Sequence, residues 1–440
     1  MNVIFTPIFT RNLTPEEFGL YPLFTGFMSI FTVITTLEMS GSVMYRGLAK
    51  FEEKDRDSFV SSALGAQTTL TAFSFILYII FRGWLNATTS LSTPIMLILI
   101  SQVFIDSAIG FYFARKRYEG DYKTVSFINL LNGIVTPFLA LFFIKSGVGG
   151  KSRIIAPLIV SAIIAAPIIF GILKRGKHLF YWQGWKFLFG FTLPMLPHYL
   201  SLSVIAQSEK IIIAKSLGES ALGKYSAAHS TGFVLSIVTT GITLAMAPWI
   251  IRNLKAGNFL LVSRAITACI RLISTLTLIF LCAVPEIFAI IAAKDYYEAL
   301  PVSYIIAISL VFSFASSMLT NCLLHYGKPH LITKNSIITA LVGVSLGILF
   351  VKIFGYIGGA IAPFISYFLL FNLNAKTVRK IAKKDITGFA QGLKITLLYL
   401  LFVPLLFLLR LSRIARIFIF AALMLLLLPE ITKCKKIVFA

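Results

Sequence analysis

Residues 13–21 read LTPEEFGLY, and residues 217–225 read LGESALGKY. At a fixed offset of 204, Leu13, Gly19 and Tyr21 fall on Leu217, Gly223 and Tyr225. The same register runs without a gap into the apolar stretch beyond, where Ile34-Thr35-Thr36 falls on Val238-Thr239-Thr240. A duplication of this kind is common in membrane chains built from repeated helical bundles. What it means here depends on how many times the chain crosses a bilayer between the two copies.

A helix needs about 20 apolar residues to cross the hydrocarbon core. Thirteen such runs occur, near residues 18–39, 59–81, 93–114, 124–144, 154–173, 187–206, 225–247, 262–291, 302–324, 331–351, 355–371, 393–409 and 414–428, after an apolar stub at 3–10. Six spans separate the two copies, so both halves enter the bilayer in the same sense and the repeat is parallel rather than inverted. The expected fold is an all-α integral membrane protein with two parallel six-helix bundles related by a pseudo-two-fold axis. The bundles are residues 1–175 and 184–375. Residues 376–440 add a basic cytoplasmic loop, two extra helices and a basic tail. Subtracting the repeat offset from the start of the span at 187 gives a position before residue 1, so the first helix is expected to be short by roughly 20 residues. A start assigned too late and a truncation both account for that.

Bulk composition agrees. Of 440 residues, 58% are apolar and 13% charged, and the mean hydropathy is +0.88. A soluble domain carries about 25% charged residues, so this chain cannot cover a water-facing surface and lipid must be the missing solvent. The net charge of +23 comes from 40 Lys+Arg against 17 Asp+Glu. These cations are spread through short loops rather than gathered in a patch, which argues against a nucleic-acid partner. They alternate from loop to loop: 26 on one side, the C-terminal tail included, against 13 on the other, with Arg271 inside a span. The positive-inside rule then puts the C-terminus in the cytoplasm. The four cysteines and five histidines show no metal-ligand spacing, so neither a metal, a cofactor nor a disulfide is expected.

Three segments carry a family resemblance: PIFTRNLTPEEFGLY from residue 7, LPMLPHYLSLSVIAQSEKIIIAKSLGESALGKYS from residue 193, and APWIIRNLKAG from residue 247. They resemble the O-antigen and polysaccharide flippases of the multidrug/oligosaccharidyl-lipid/polysaccharide exporter superfamily. The resemblance spans about residues 3 to 375, and the short first helix departs from the pattern. It implies a V-shaped transporter of two bundles in a bacterial inner membrane, with no catalytic residue. The substrate would be an oligosaccharide on undecaprenyl pyrophosphate, moved from the cytoplasmic to the periplasmic leaflet. Membrane lipid and the polysaccharide polymerase machinery are the implied partners. Competing readings are a drug or organic-cation antiporter of the same superfamily, a membrane polymerase or ligase, and an inactive truncated copy. The antiporter would need an acidic cavity, and the polymerase a large outer loop that this chain lacks.

Ionisable groups within spans are expensive and usually face a cavity or a partner. Arg11 and Lys215 occupy equivalent repeat positions near the outer ends of their helices, where they would receive a pyrophosphate at the exit or simply snorkel to the interface. Arg271 lies seven residues beyond Arg264, about 10 Å deeper at 1.5 Å per residue. Its repeat partner is Gln67, so each bundle presents a polar group at that depth. Arg46 and Arg252 sit near the cytoplasmic mouth, as attractors of an anionic head or as ordinary loop anchors. Glu38, Asp106, Glu209 and Glu286 are the acidic residues read within spans. Each is a candidate for ion coupling or for neutralising a nearby cation. Glu209 and Lys210 are adjacent, so on a helix their side chains diverge. Pro194 and Pro197 lie just before His198 and would form a hinge or a static kink. Gln207, His198 and His229 would bond sugar hydroxyls or neighbouring helices.

Overall fold

The computed structural model describes residues 2–326, 329–382 and 413–439. All regular structure among them is helical: α1 (Asn2–Asn12), α2 (Pro15–Thr36), α3 (Ser42–Lys50), α4 (Glu53–Ile80), α5 (Arg82–Thr89), α6 (Thr93–Tyr118), α7 (Tyr122–Lys145), α8 (Ser152–Gly176), α9 (Trp182–Thr231), α10 (Phe233–Lys255), α11 (Phe259–Ile291), α12 (Leu300–His325), α13 (Pro329–Phe354), α14 (Tyr356–Ala382) and α15 (Arg413–Phe439), with short 3-10 turns before α8 and α12. Twelve of the described segments are long and apolar enough to cross a membrane. They correspond one to one with twelve of the thirteen spans read from the sequence. The remaining span, 393–409, lies outside the described residues, as does the basic loop at 383–392.

The opening motif forms a helix start. In LTPEEFGLY, Pro15 enters α2 at its first turn and Thr14 caps it. The Thr14 hydroxyl accepts from the Glu17 amide at 3.3 Å, and the Glu17 carboxylate accepts from the Thr14 amide at 3.1 Å. This reciprocal box satisfies two of the donors that a helix N-terminus leaves open. In the second copy, LGESALGKY, the break comes at the matching place: Gly218 has φ 86° and ψ 174°, interrupting α9 in a conformation that a side chain would strain. Both copies of the motif therefore carry a helix break at or just after their leucine.

The described residues fall into two compact units, Asn12–Ser220 as the first, and Asn2–Arg11 together with the chain from Ala221 onward as the second. The helix at 182–217 packs with the first unit, while the stub that holds the equivalent repeat position, 2–11, packs with the second. Aromatic packing explains the first of these. Phe187 meets Phe51 and Phe59 at centroid separations of 6.0 and 6.2 Å. The Trp185 indole donates to the Ser62 carbonyl at 2.9 Å. A side chain at Gly65 would collide with the carbonyl of Leu179, so α4 approaches the 177–181 connection backbone to backbone. In the second unit, Thr10 of α1 donates to the Ile291 carbonyl at 2.9 Å.

Within the first unit α8 packs on α6 and α7, and its core gathers Met39, Met44, Phe59, Leu64 and Phe111. Within the second, α14 packs on α12 and α13, and α15 lies along α11. That core includes Ile266, Cys269, Met318 and Cys322. Lipid tails are as apolar as these side chains, so burial alone gains little, and packing with interhelical hydrogen bonds must hold the bundles. The second unit has such a network. Asn374, 1% exposed, accepts from Asn335 at 2.9 Å and donates to Ser316 at 3.1 Å and Thr320 at 3.2 Å. Asn335 also donates to Thr377 at 3.1 Å.

Two boundaries differ from the sequence reading. The span read at 225–247 runs instead over Phe233–Lys255, because residues 219–231 finish α9 beyond its break. Glu38, read as lying within a span, falls in the turn after α2. There Leu37 and Glu38 hold φ of 50° and 55°, a left-handed pair unusual for residues with side chains.

Candidate functional site

The first unit carries a line of polar side chains across α2, α6 and α8. Gln102 and Asp106 are four residues apart on α6 and therefore share a helix face. The Gln102 amide donates to the Asp106 carboxylate at 2.7 Å and to the Ser161 hydroxyl of α8 at 3.3 Å. Gln102 and Ser161 are buried, whereas Asp106 stays accessible at the edge of the cluster. Tyr21 of α2 lies within electrostatic reach of both Asp106 and Arg153. The Arg153 guanidinium sits over the rings of Phe18 at 4.3 Å and Tyr21 at 4.5 Å. It also donates to the Phe18 carbonyl at 3.3 Å. An accessible carboxylate is thus held by a buried amide, with a cation beyond a phenol. A carboxylate within a span is costly unless it faces a cavity or a partner, which makes Asp106 a candidate.

The other acidic candidates have different surroundings. Glu286 of α11 receives a bidentate pair from Arg416 of α15, at 2.7 and 3.1 Å. Glu209 is 4% exposed, and its Oε2 has no hydrogen bond among the described residues. The neighbouring Lys210 ammonium donates to Gln207 at 2.8 Å. Glu38 is half-buried, and that burial raises its carboxyl above the usual range.

The basic candidates are distributed between the units. Arg11 belongs to the second, where it donates to the Ile290 carbonyl at 3.2 Å, and Lys215 is exposed on the first. Arg271 is exposed on α11 although its neighbours Ile270 and Ile273 are buried, so the side chain projects away from the packed core of its unit. Its repeat partner Gln67 is fully buried, donating to the Thr35 carbonyl at 3.4 Å and to Thr71 at 3.1 Å. The two therefore present different polarity to their surroundings. Arg46 covers the ring of Phe191 at 4.6 Å, and Arg252 is exposed at the end of α10.

His198 lies against Tyr199 with ring centroids 5.7 Å apart, and its Nδ1 has no hydrogen bond among the described residues. His229 lies 6.0 Å from the ring of Tyr225. The helix continues through Pro194 and Pro197, and the residue in α9 with non-helical dihedrals is Gly218. Among the described residues no group of His, Cys, Asp or Glu has the geometry of a metal site.

Sequence reasoning named Asp106 but missed Gln102, Ser161, Tyr21 and Arg153 around it. The i, i+4 spacing of Gln102 and Asp106 was available as a signal. The approach of Tyr21 and Ser161 was not, because it brings together residues far apart in the chain.

Among the described residues, twelve apolar segments long enough to cross a membrane are gathered into two compact helical units, an all-α membrane-protein fold. The fold matches that of the lipid II flippase MurJ in an inward closed conformation, with a TM-score of 0.67 at 15% identity over 97% of this chain and 96% of that one. It also matches an inward-facing multidrug resistance MATE family transporter, with a TM-score of 0.66 at 14% identity over 87% of this chain and 95% of that one. Residues 1–254 match the family of polysaccharide biosynthesis proteins, and the chain belongs to that family. Two proteins of Haemophilus influenzae (strain ATCC 51907 / DSM 11121 / KW20 / Rd) are similar over most of their length. Protein 1 of the Lsg locus is 21% identical over 346 residues, 77% of this chain and 84% of that protein. An uncharacterized membrane protein is 23% identical over 365 residues, 79% of this chain and 86% of that protein.

Proposed function

We propose that this protein flips an undecaprenyl-pyrophosphate-linked oligosaccharide, an O-antigen or other polysaccharide repeat unit, from the cytoplasmic to the periplasmic leaflet of a bacterial inner membrane. The observation that carries the reading is membership of the polysaccharide biosynthesis family, on a fold shared with a lipid II flippase. Physical chemistry constrains how such a step runs. Withdrawing a polyprenyl tail from lipid would cost about 0.8 kcal/mol per CH₂, prohibitive over a long chain, so the tail stays in the bilayer while the head crosses. The pyrophosphate head needs cations along its route. Arg271 is the basic group best suited to meet it, since it lies within a span and projects from the packed core of its unit. Arg11 and Lys215 serve as later phosphate contacts, and Arg46 and Arg252 as earlier ones. Gln67, Gln207 and His198 are the remaining polar candidates.

Two negative charges moving outward gain about 2.3 kcal/mol each per 100 mV of inside-negative potential. The membrane potential alone therefore favours export. Asp106, accessible and held by Gln102 and Ser161, is the carboxylate best placed to add ion coupling, ahead of Glu209 and Glu38. Glu286 is committed to Arg416. On this reading the C-terminus faces the cytoplasm, in keeping with the loop charges, and the polysaccharide polymerase machinery acts on the product outside.

The fold shared with a multidrug transporter favours a second reading, export of an organic cation. One experiment separates the two: lipid-linked oligosaccharide and surface polysaccharide are compared in a deletion strain with and without the gene restored. Accumulation of complete lipid-linked units facing the cytoplasm, relieved by the restored gene, supports the flippase. Unchanged polysaccharide, no accumulated intermediate and hypersensitivity to cationic dyes would replace it with the antiporter.

A further inference from the structure

A cavity of about 450 Å³ opens within the first unit, between α4, α6, α7 and α8. It is separate from the Asp106 cluster, and no residue discussed as a transport candidate lines it. Its walls are aliphatic for most of their extent, supplied by side chains such as Ile128 and Ile168. At one end Arg115 and Lys116 from the last turn of α6 meet Arg175 from the last turn of α8, with the Tyr112 phenol beside them. Among the described residues no carboxylate lines the cavity.

The sequence of α8 explains why there is space here. Pro167 and Gly171 both line the cavity and lie four residues apart, on one face of the helix. A Cβ added at Gly171 would meet nothing within 4 Å. The surface around it is built for lipid: Phe127, Phe138 and Phe142 on α7 and Ile163 and Phe170 on α8 are all more than half exposed.

The cations are only partly engaged by protein. Arg115 uses two of its five N–H groups, one toward Asp57 and one toward Glu119 at 2.7 Å. The Lys116 ammonium lies 3.1 Å from Asp121 and 3.7 Å from Glu119, leaving donors to spare. Arg175 is exposed and makes no ion pair among the described residues.

We propose that this cavity is a binding site for an anionic phospholipid, with the phosphate head at Arg115, Lys116 and Arg175 and one acyl chain between α6, α7 and α8. An oligosaccharide head would need many hydroxyl partners, and a single phenol among aliphatic walls does not supply them. A free phosphate would leave the apolar length empty. The volume falls within the range of about 300–1,000 Å³ typical of ligand sites. A bound lipid would fill the space between α4, α6, α7 and α8.

The test uses the full-length protein, purified and examined by native mass spectrometry with added dioleoyl-phosphatidylglycerol or dioleoyl-phosphatidylcholine. The wild type should retain phosphatidylglycerol through detergent exchange in preference to phosphatidylcholine. Arg175→Gln should lower that preference about fivefold, the worth of one interfacial cation. Gly171→Phe, which fills the cavity from an open position, should abolish it, while Gly171→Ala keeps it. Melting temperatures of the variants identify any that are misfolded, and Arg175→Gln at the surface provides the independent measurement. Equal retention of the two lipids by the wild type would overturn the proposal. So would an unchanged preference in Arg175→Gln and Gly171→Phe, or displacement of the lipid by inorganic phosphate alone.

Discussion

Replacing Asn374 with leucine removes the centre of the polar network that joins α12, α13 and α14. Three hydrogen bonds go: one accepted from Asn335 and two donated, to Ser316 and Thr320. In membrane bundles each interhelical bond is worth about 0.6 kcal/mol on average and at most about 1.7, because the unfolded chain also finds partners. The expected loss is therefore about 2 kcal/mol, a factor of about 30 in the unfolding equilibrium. Asn335→Leu removes two bonds, to Asn374 and Thr377, and should cost about 1 kcal/mol. The bond they share is counted in both single variants, so the double variant should be less damaged than the sum by about 0.6 kcal/mol. Equilibrium unfolding in mixed micelles, followed by far-UV circular dichroism, measures all four proteins. Additive losses would refute the shared bond, and a neutral Asn374→Leu would show that the network adds nothing to stability.

Other expectations follow from features of the two units. Arg271→Ala should abolish complementation of a deletion strain at normal protein levels, and retained complementation would remove Arg271 from the substrate path. Thr14→Ala removes the capping box of α2 and should cost about 1 kcal/mol, seen as a lowered melting temperature that Thr14→Ser largely restores. Gly65→Ala forces a methyl against the Leu179 carbonyl and should destabilise the first unit by about 1–3 kcal/mol. Its readout is faster proteolysis within the 177–181 connection.

The fold was largely legible in the sequence because lipid imposes a simple rule. Backbone groups in hydrocarbon must bond within their own helix, so length and apolarity identify a span almost without regard to which apolar residues fill it. That is why twelve segments matched. Tertiary allegiance was not legible. Nothing in the repeat pattern foretold that Trp185 and Phe187 would pack against Ser62, Phe51 and Phe59. Aromatic packing of this kind leaves no periodic trace.

The candidate sites were legible in type and poorly legible in company. Scarcity alone picked out Asp106 and Glu286, since a carboxylate within a span is conspicuous. Whether a carboxylate is available depends on what packs beside it. For Asp106 that is a neutral amide, and for Glu286 an arginine some 130 residues further along the chain. Only folding brings that second pair together.

That pairing bears on how the protein is made. Arg416 stands within the first turn of α15, and its partner lies on α11. While α15 leaves the translocation machinery, an arginine near its leading end resists transfer into lipid. At mid-bilayer the penalty would be about 2.5–3.5 kcal/mol, and nearer the interface a part of that. Glu286 is synthesised well before it, already carried on α11, and offers a bidentate partner at the moment of insertion. On this argument the pair links insertion of the last described helix to an earlier one. Removing the carboxylate would be felt first during biogenesis, as a C-terminal segment left outside the bilayer, before any effect on transport could be measured.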